Sequence, residues 1–269
     1  MEHSQNKNIL LIVEGGKTEK VFFNRIKEVF GLDAHIVSAE VNIYALYRKL
    51  VECDFQADLR DILYEMRILN RETADINFTY TYLVYDADVQ HRELNQKQNP
   101  IEDVVRLNLS NLLKLSKHFT NETDPSIGKL YINYPMMEAY RDCADFFDCD
   151  YENTVVTLEQ IPAYKSIVGK RRLASMHINN YCYEHFIKLA RMSVYKIKKI
   201  VFGVWGKLDY NSYRQVCDDN QIICKQKAEI ELHNLMYVLN TSVLFFVDYY
   251  GNRDGFFDKI VTNSTMNCN

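Results

Sequence analysis

Proline is scarce in this chain of 269 residues, with four in all, and glycine numbers only nine. So little punctuation excludes a loop-built or low-complexity protein and suits a helix-rich fold with few long loops. Long apolar runs are missing too. Ile9–Val13 and Val243–Val247 are the longest, against the roughly 20 residues that span a bilayer, so no membrane helix is expected. Residues 1–7 hold no apolar stretch of the signal-peptide kind, and a cytoplasmic protein is expected. The seven cysteines are odd in number and include no Cys-x-x-Cys pair. That argues against a zinc site or a disulfide framework, and the thiols read as reduced packing residues. His177 and His185 flank Cys182, an arrangement read as packing before metal binding. Gly-x-Ser-x-Gly and His-Glu-x-x-His are absent, and no pair of residues declares a nucleophile.

What is present is an ordinary globular composition, 47% hydrophobic and 25% charged, at a length that buries a sizeable core. The charge is unevenly spread. From Lys165 to Lys207 there are ten lysines and arginines and one acid, Glu184, in a chain whose net charge is -4. A basic block of this kind suits a phosphate-bearing partner. Lys165, Arg171, Arg172, Lys196 and Lys199 are its candidate nucleic-acid contacts, with Lys17 added from the first turn. A solvated basic helix face is the equal alternative, since Lys196, Lys198 and Lys199 do not share one helical stripe. Tyr181, Tyr183, Tyr195, Trp205, Tyr210 and Tyr213 lie in or near the block. Aromatics beside cations suit unpaired bases, although packing is the weightier reading in a chain with 19 tyrosines.

The first half alternates strand and helix. Residues 8–13 form a continuous apolar run, as buried parallel strands do. A turn of Glu14-Gly15-Gly16-Lys17 follows, and then Phe22, Ile26, Val29 and Phe30 recur at helical spacing. Further strands are predicted at 35–39, 79–85 and 129–133, and helices at 42–53, 57–70 and 101–118. Beyond Pro135 the chain reads mainly as helix, near 136–148, 173–200 and 227–250. The expected architecture is an α/β fold with an open, mainly parallel sheet flanked by helices and a mostly helical C-terminal portion. A first domain over 1–140 and a basic lobe over 141–269 are expected to pack as one unit, since no linker separates them.

In such sheets the ligand site lies beyond the carboxyl ends of the strands. Glu14 follows the first strand, Asp86 and Asp88 follow the strand at 79–85, and Glu138 follows that at 129–133. Were these strands parallel neighbours, the carboxylates would gather at one sheet edge, where they repel unless a cation lies between them. Oxygen ligands suit Mg²⁺ or Mn²⁺, and an ion held so serves phosphodiester chemistry. Taken singly, each acid also reads as a helix cap or turn residue.

Leu11-Ile12-Val13-Glu14-Gly15-Gly16-Lys17-Thr18-Glu19-Lys20 resembles the Glu-Gly-x-Lys-Thr-Glu opening of RloB-like proteins. These belong to the Toprim group, together with the OLD-family nucleases, topoisomerases and primases. Leu83-Val84-Tyr85-Asp86-Ala87-Asp88 is similar to the Toprim strand that ends in Asp-x-Asp, and Tyr134-Pro135-x-x-Glu138 to an Asn-Pro-x-x-Glu element. The likeness covers residues 8–140. It implies a Toprim-like catalytic domain in which Asp86 and Asp88 hold Mg²⁺ or Mn²⁺. Glu14 would then be the acid/base residue or a ligand, Glu19 and Glu138 would be further ligands, and Lys170 would be the later lysine of OLD-type nucleases. Gln90 stands where many relatives carry a third Asp, and Tyr134 stands in place of Asn.

The implied activity is metal-dependent cleavage of DNA or RNA, tRNA among the candidates, by the toxic effector of a bacterial anti-phage system. A separate ATPase partner is implied by analogy, and self-association is left open. Two other readings stand beside it. One is a catalytically weak adaptor or sensor with the same fold. The other is a degenerate P-loop, disfavoured because Leu11 occupies the position of its first glycine.

Overall fold

Buried apolar stretches set the frame of the computed structural model, which describes residues 8–144, 149–170 and 177–262. In chain order the elements begin with β1 (Ile9–Val13), α1 (Thr18–Phe30), β2 (Ala34–Ser38), α2 (Ile43–Glu52), α3 (Leu59–Glu65), α4 (Arg71–Ala74) and β3 (Tyr80–Asp86). There follow α5 (Ile101–His118), β4 (Thr120–Asn121), β5 (Gly128–Asn133), α6 (Ala139–Ala144), β6 (Val155–Thr157), α7 (Tyr164–Gly169) and α8 (Tyr183–Phe202). The last are α9 (Tyr210–Asp218), α10 (Gln221–His233), β7 (Leu235–Tyr237), α11 (Leu244–Tyr250) and α12 (Phe256–Thr262). The result is an α/β protein whose five-stranded, mostly parallel sheet runs in the order β2-β1-β3-β5-β4. β1 pairs in parallel with β2 and β3, and β4 pairs antiparallel with β5. Among the described residues no helix is long and apolar enough to cross a membrane.

The chain divides into two compact units, one of the residues up to Tyr85 with Leu115–Tyr131, the other of Asp86–Lys114 with the residues from Ile132 onward. In the first unit all five residues of β1 are buried, which explains its unbroken apolar run: a central parallel strand is covered on both faces. Phe22, Phe23 and Ile26 are the buried side of α1, which stops at left-handed Gly31, whose N–H reaches the Glu28 and Lys27 carbonyls. Asn42 and Asp58 cap α2 and α3 through their side chains.

In the second unit α8 carries a buried face of Phe186, Leu189, Ala190, Val194, Ile197 and Val201. It packs on α6, α10, α11 and α12. β6 and β7 form a small antiparallel ribbon. Three predicted helices are shorter than expected. The segment 57–70 holds only α3, which ends at Glu65 before left-handed Arg67 with φ 59°, and α4 starts beyond it at Arg71. The segment 227–250 divides at left-handed Asn234 into α10, β7 and α11. The helix expected from 173 begins at Tyr183, and residues 171–176 lie outside those described.

Candidate active site

Glu14 extends β1 by one residue. Its N–H donates to the Val84 carbonyl at 3.2 Å, and its own carbonyl accepts from Glu40 N at 2.9 Å. The side chain is half-buried. The Tyr85 hydroxyl is fully buried, and its pKa is raised by burial first and by the nearby Glu14 carboxylate second. The turn to α1 is close-packed around its glycines. A Cβ on Gly15 would stand 2.3 Å from the Glu19 carboxylate, and one on Gly16 would stand 3.0 Å from Glu40 Oε1. Glu14, Glu19 and Glu40 thus crowd this turn in the first unit, and Lys17 is exposed at the start of α1. Glu40 escaped the sequence reading, although it follows a strand as the other acids do. It holds φ 52°, a conformation rare outside glycine.

The remaining candidates belong to the second unit. Asp86 Oδ1 accepts from Met137 N at 2.7 Å and from Asn133 Nδ2 at 3.2 Å. Asn133 is buried, and its Oδ1 accepts from Thr241 N, Thr241 Oγ1 and Ser242 Oγ at 2.9, 3.2 and 3.0 Å. This amide ties Asp86 to a segment more than a hundred residues away. Asp88 has φ 36°. Burial raises its carboxyl pKa, and the facing His91 opposes the rise. His91 N donates to the Asp88 carbonyl at 2.8 Å, closing a turn. Asn108 of α5 braces that turn by donating to the Val89 and His91 carbonyls at 2.9 and 2.8 Å. Gln90 does not face the acids through its amide N–H, which donates to the Leu158 carbonyl. Neither Asn108 nor Asn133 carries a signal in sequence, since their roles depend on distant partners. His91 is adjacent to the Asp-x-Asp and so was within reach of the sequence.

Glu138 is 4% exposed and receives Lys165 Nζ on Oε1 at 2.5 Å. Lys165 is the lysine that meets a predicted site acid, whereas Lys170 follows α7 as an exposed residue. Tyr134 is buried and bonds through its backbone to Leu239 in both directions. Its side chain is a packing residue.

The basic block requires one correction. Lys196 is 0% exposed, and its Nζ donates to the carbonyls of Tyr151, Glu152 and Thr154 at 2.8, 3.0 and 2.9 Å. It is enclosed by protein and presents nothing to a phosphate. Lys199 remains half-exposed but is paired with Glu152 Oε1 at 2.8 Å. Arg171 and Arg172 lie outside the described residues. His185 Nδ1 lies 2.8 Å from Cys182 Sγ and accepts the Cys182 N–H at 3.1 Å, at the start of α8. That contact closes a helix end.

Among the described residues no group of three or more His, Cys, Asp and Glu side chains is arranged to hold a metal ion. Mg²⁺ and Mn²⁺ sites rest on one or two carboxylates and keep several waters, so the oxygen donors of Asp86 and Asp88 fit such an ion in kind. No family model, curated protein or solved structure matches the chain.

Proposed function

We propose that this chain is a Toprim-type, divalent-metal-dependent nuclease that cleaves phosphodiester bonds. The observation that carries the reading is the placement of acids at strand ends. Glu14 follows β1 and Asp86 closes β3, its parallel neighbour in register Val13↔Val84. Asp88 follows in a braced turn. On this reading Asp86 and Asp88 hold Mg²⁺ or Mn²⁺, which when bound would stabilise charge on the transferring phosphate. The resemblance alone assigns Glu14 the movement of a proton or a ligand role, and Glu19 a further ligand role. Lys165, released from Glu138, is the basic residue for the phosphate in preference to Lys170. Lys17 and Lys199 remain candidate nucleic-acid contacts, and Lys196 does not.

The resemblance of the three motifs to RloB-like proteins supports a bacterial, cytoplasmic setting as a defence effector working with a separate ATPase. DNA, RNA and tRNA all remain substrates to test. A dead-site adaptor is the second reading, favoured by the commitment of Gln90 to Leu158. The deciding experiment incubates duplex DNA, single-stranded DNA and total tRNA with the chain in Mg²⁺ and in Mn²⁺, beside Glu14→Ala and Asp88→Ala. Cleavage by wild type alone supports the nuclease and names its substrate. No cleavage, with no heat of metal binding, supports the adaptor.

A further inference from the structure

We propose that the recess beside the turn from α3 to α4, in the first unit, binds a guanine nucleotide. Tyr64 stacks on the base, Glu65 accepts from its pairing edge and Arg67 meets the phosphate. The inference uses neither the strand-end acids nor a metal, and so goes beyond the nuclease reading. The recess has a volume of about 410 Å³, within the roughly 300–1,000 Å³ of small-ligand sites. Tyr64, Glu65, Arg67, Leu69 and Asn70 line it. The Tyr64 ring is 47% exposed, while Leu69 is buried and supplies an apolar floor.

Arg67 occupies a strained place in this recess. Met66 caps α3, and the Ile68 and Leu69 N–H groups both donate to the Leu63 carbonyl, at 2.9 and 3.1 Å. A helix end closed in this way puts a left-handed residue just past the cap, usually glycine. Here an arginine holds φ 59°, which crowds its Cβ against the backbone. Strain of this kind persists where the side chain has work to do. Among the described residues no hydrogen bond or ion pair takes up the Arg67 guanidinium, so it is open to a ligand.

The lining side chains differ in kind, and together they match one ligand. An exposed tyrosine ring offers a stacking face to a base. A guanidinium is suited to phosphate. Glu65 would repel a phosphate, so the ligand must also carry donors. Lys49 Nζ holds Glu65 Oε2 at 2.9 Å, and the Glu65 side chain is 58% exposed. Each carboxylate oxygen has two lone pairs, so both can still accept from a ligand. Guanine alone among the bases presents two adjacent donors, N1–H and N2–H, on its pairing edge. Asn70 Oδ1 accepts from Thr73 N at 2.8 Å, which leaves the Asn70 Nδ2 hydrogens for an acceptor on the base or sugar.

The test titrates the full chain, without divalent ions, with guanosine 5′-monophosphate and uridine 5′-monophosphate by calorimetry. A short thymidine oligonucleotide with and without one guanine is titrated by fluorescence anisotropy. Binding of the guanosine monophosphate supports the proposal with a free nucleotide as ligand. Binding of the guanine-bearing strand alone supports it with a nucleotide of a single strand. Tyr64→Ala should weaken binding by about tenfold. Arg67→Gly should weaken it as much while the chain stays at least as stable to urea, since glycine takes the left-handed conformation freely. Loss of fold therefore cannot account for that result. Glu65→Gln should reduce the preference for guanine. Equal binding of guanine and uracil ligands, or binding unmoved by Tyr64→Ala and Arg67→Gly, overturns the proposal. So does a lack of binding by every probe. Cleavage of nucleic acid by the same chain in Mn²⁺ would then leave the nuclease reading standing, and no cleavage would remove both.

Discussion

Lys196→Met isolates the most unusual group in the second unit. The wild-type ammonium sits in a cage of three carbonyls and lies 5.1 and 5.6 Å from the centres of the Tyr151 and Tyr237 rings. Met has a similar length and fills the channel but donates nothing. Tyr151 O retains the Thr154 N–H and Thr154 O retains the Val238 N–H, so the Glu152 carbonyl is the one left without a replacement. A neutral amine has two N–H groups for the three carbonyls; an orphaned carbonyl costs about 1–3 kcal/mol and a weakened one about 1 kcal/mol, so the substitution should destabilise by about 2–4 kcal/mol where the amine is neutral. The charged form carries a desolvation penalty of several kcal/mol that Met does not.

Burial lowers the Lys196 pKa to about 7, against about 10.4 in an unfolded chain. Between those values the unfolded chain binds the extra proton, so wild-type stability rises with pH through that window and is least below it. Urea unfolding of both proteins at several pH values should show the gap opening by on the order of 1 kcal/mol per unit above pH 7. A gap that stays constant would show that the carbonyls and rings keep the ammonium charged against burial. A variant as stable as wild type at about pH 9 would remove the cage as a stabilising device.

Three other outcomes follow from the same geometry. Gly15→Ala places a methyl 2.3 Å from the Glu19 carboxylate, which must swing away. On the proposed nuclease reading it should reduce cleavage as Glu19→Ala does, with no further loss in the double variant and stability within about 0.5 kcal/mol. Additive losses would separate the two residues. Asn133→Ala strips Asp86 of a donor and leaves the Thr241 N–H without its acceptor, an expected loss of about 2–4 kcal/mol by thermal or urea unfolding. His185→Ala removes the acceptor of the Cys182 N–H and should lower stability by about 1 kcal/mol at neutral pH. Burial lowers the His185 pKa, so wild type should lose stability as pH falls below about 6.5, whereas the variant should lose less.

The strands were legible because β1 and β3 are buried along nearly their whole length, and burial on both faces leaves an unbroken apolar run that local pattern reading detects. Helix breaks were less so. Arg67 turns left-handed with neither glycine nor asparagine to announce it. Lys196 was misread by residue type, yet the sequence held the correction. Leu189, Ser193, Lys196 and Ile200 follow one helical stripe, and all four are buried. The strand-end acids were read from position alone. What surrounds them was not, because Asn133 acts through Thr241 and Ser242 and Gln90 through Leu158. Spacing along a chain carries no trace of such pairs.

Those partners also alter the electrostatic argument for a metal. Clustered carboxylates were expected to need a cation, but each candidate acid of the second unit already faces a protein donor or a basic side chain. Asp86 has Met137 N and Asn133, Glu138 has Lys165, and Asp88 has His91. An arriving ion must compete with these contacts, and they differ in strength. The Lys165 side chain is 68% exposed, and an ion pair with so solvated a partner is worth about 0–1 kcal/mol, so Glu138 is surrendered readily. Asp86 accepts a backbone N–H at 2.7 Å, a bond to an ionised acceptor worth about 1.5–3 kcal/mol. It also fixes the Met137 loop through that bond. Asp88 faces only an imidazole at 3.8 Å, beyond hydrogen-bond reach. The acid least engaged by the protein is therefore the one beside His91. An ion would displace least there, and Asp86 can keep its hold on the Met137 loop while contributing charge.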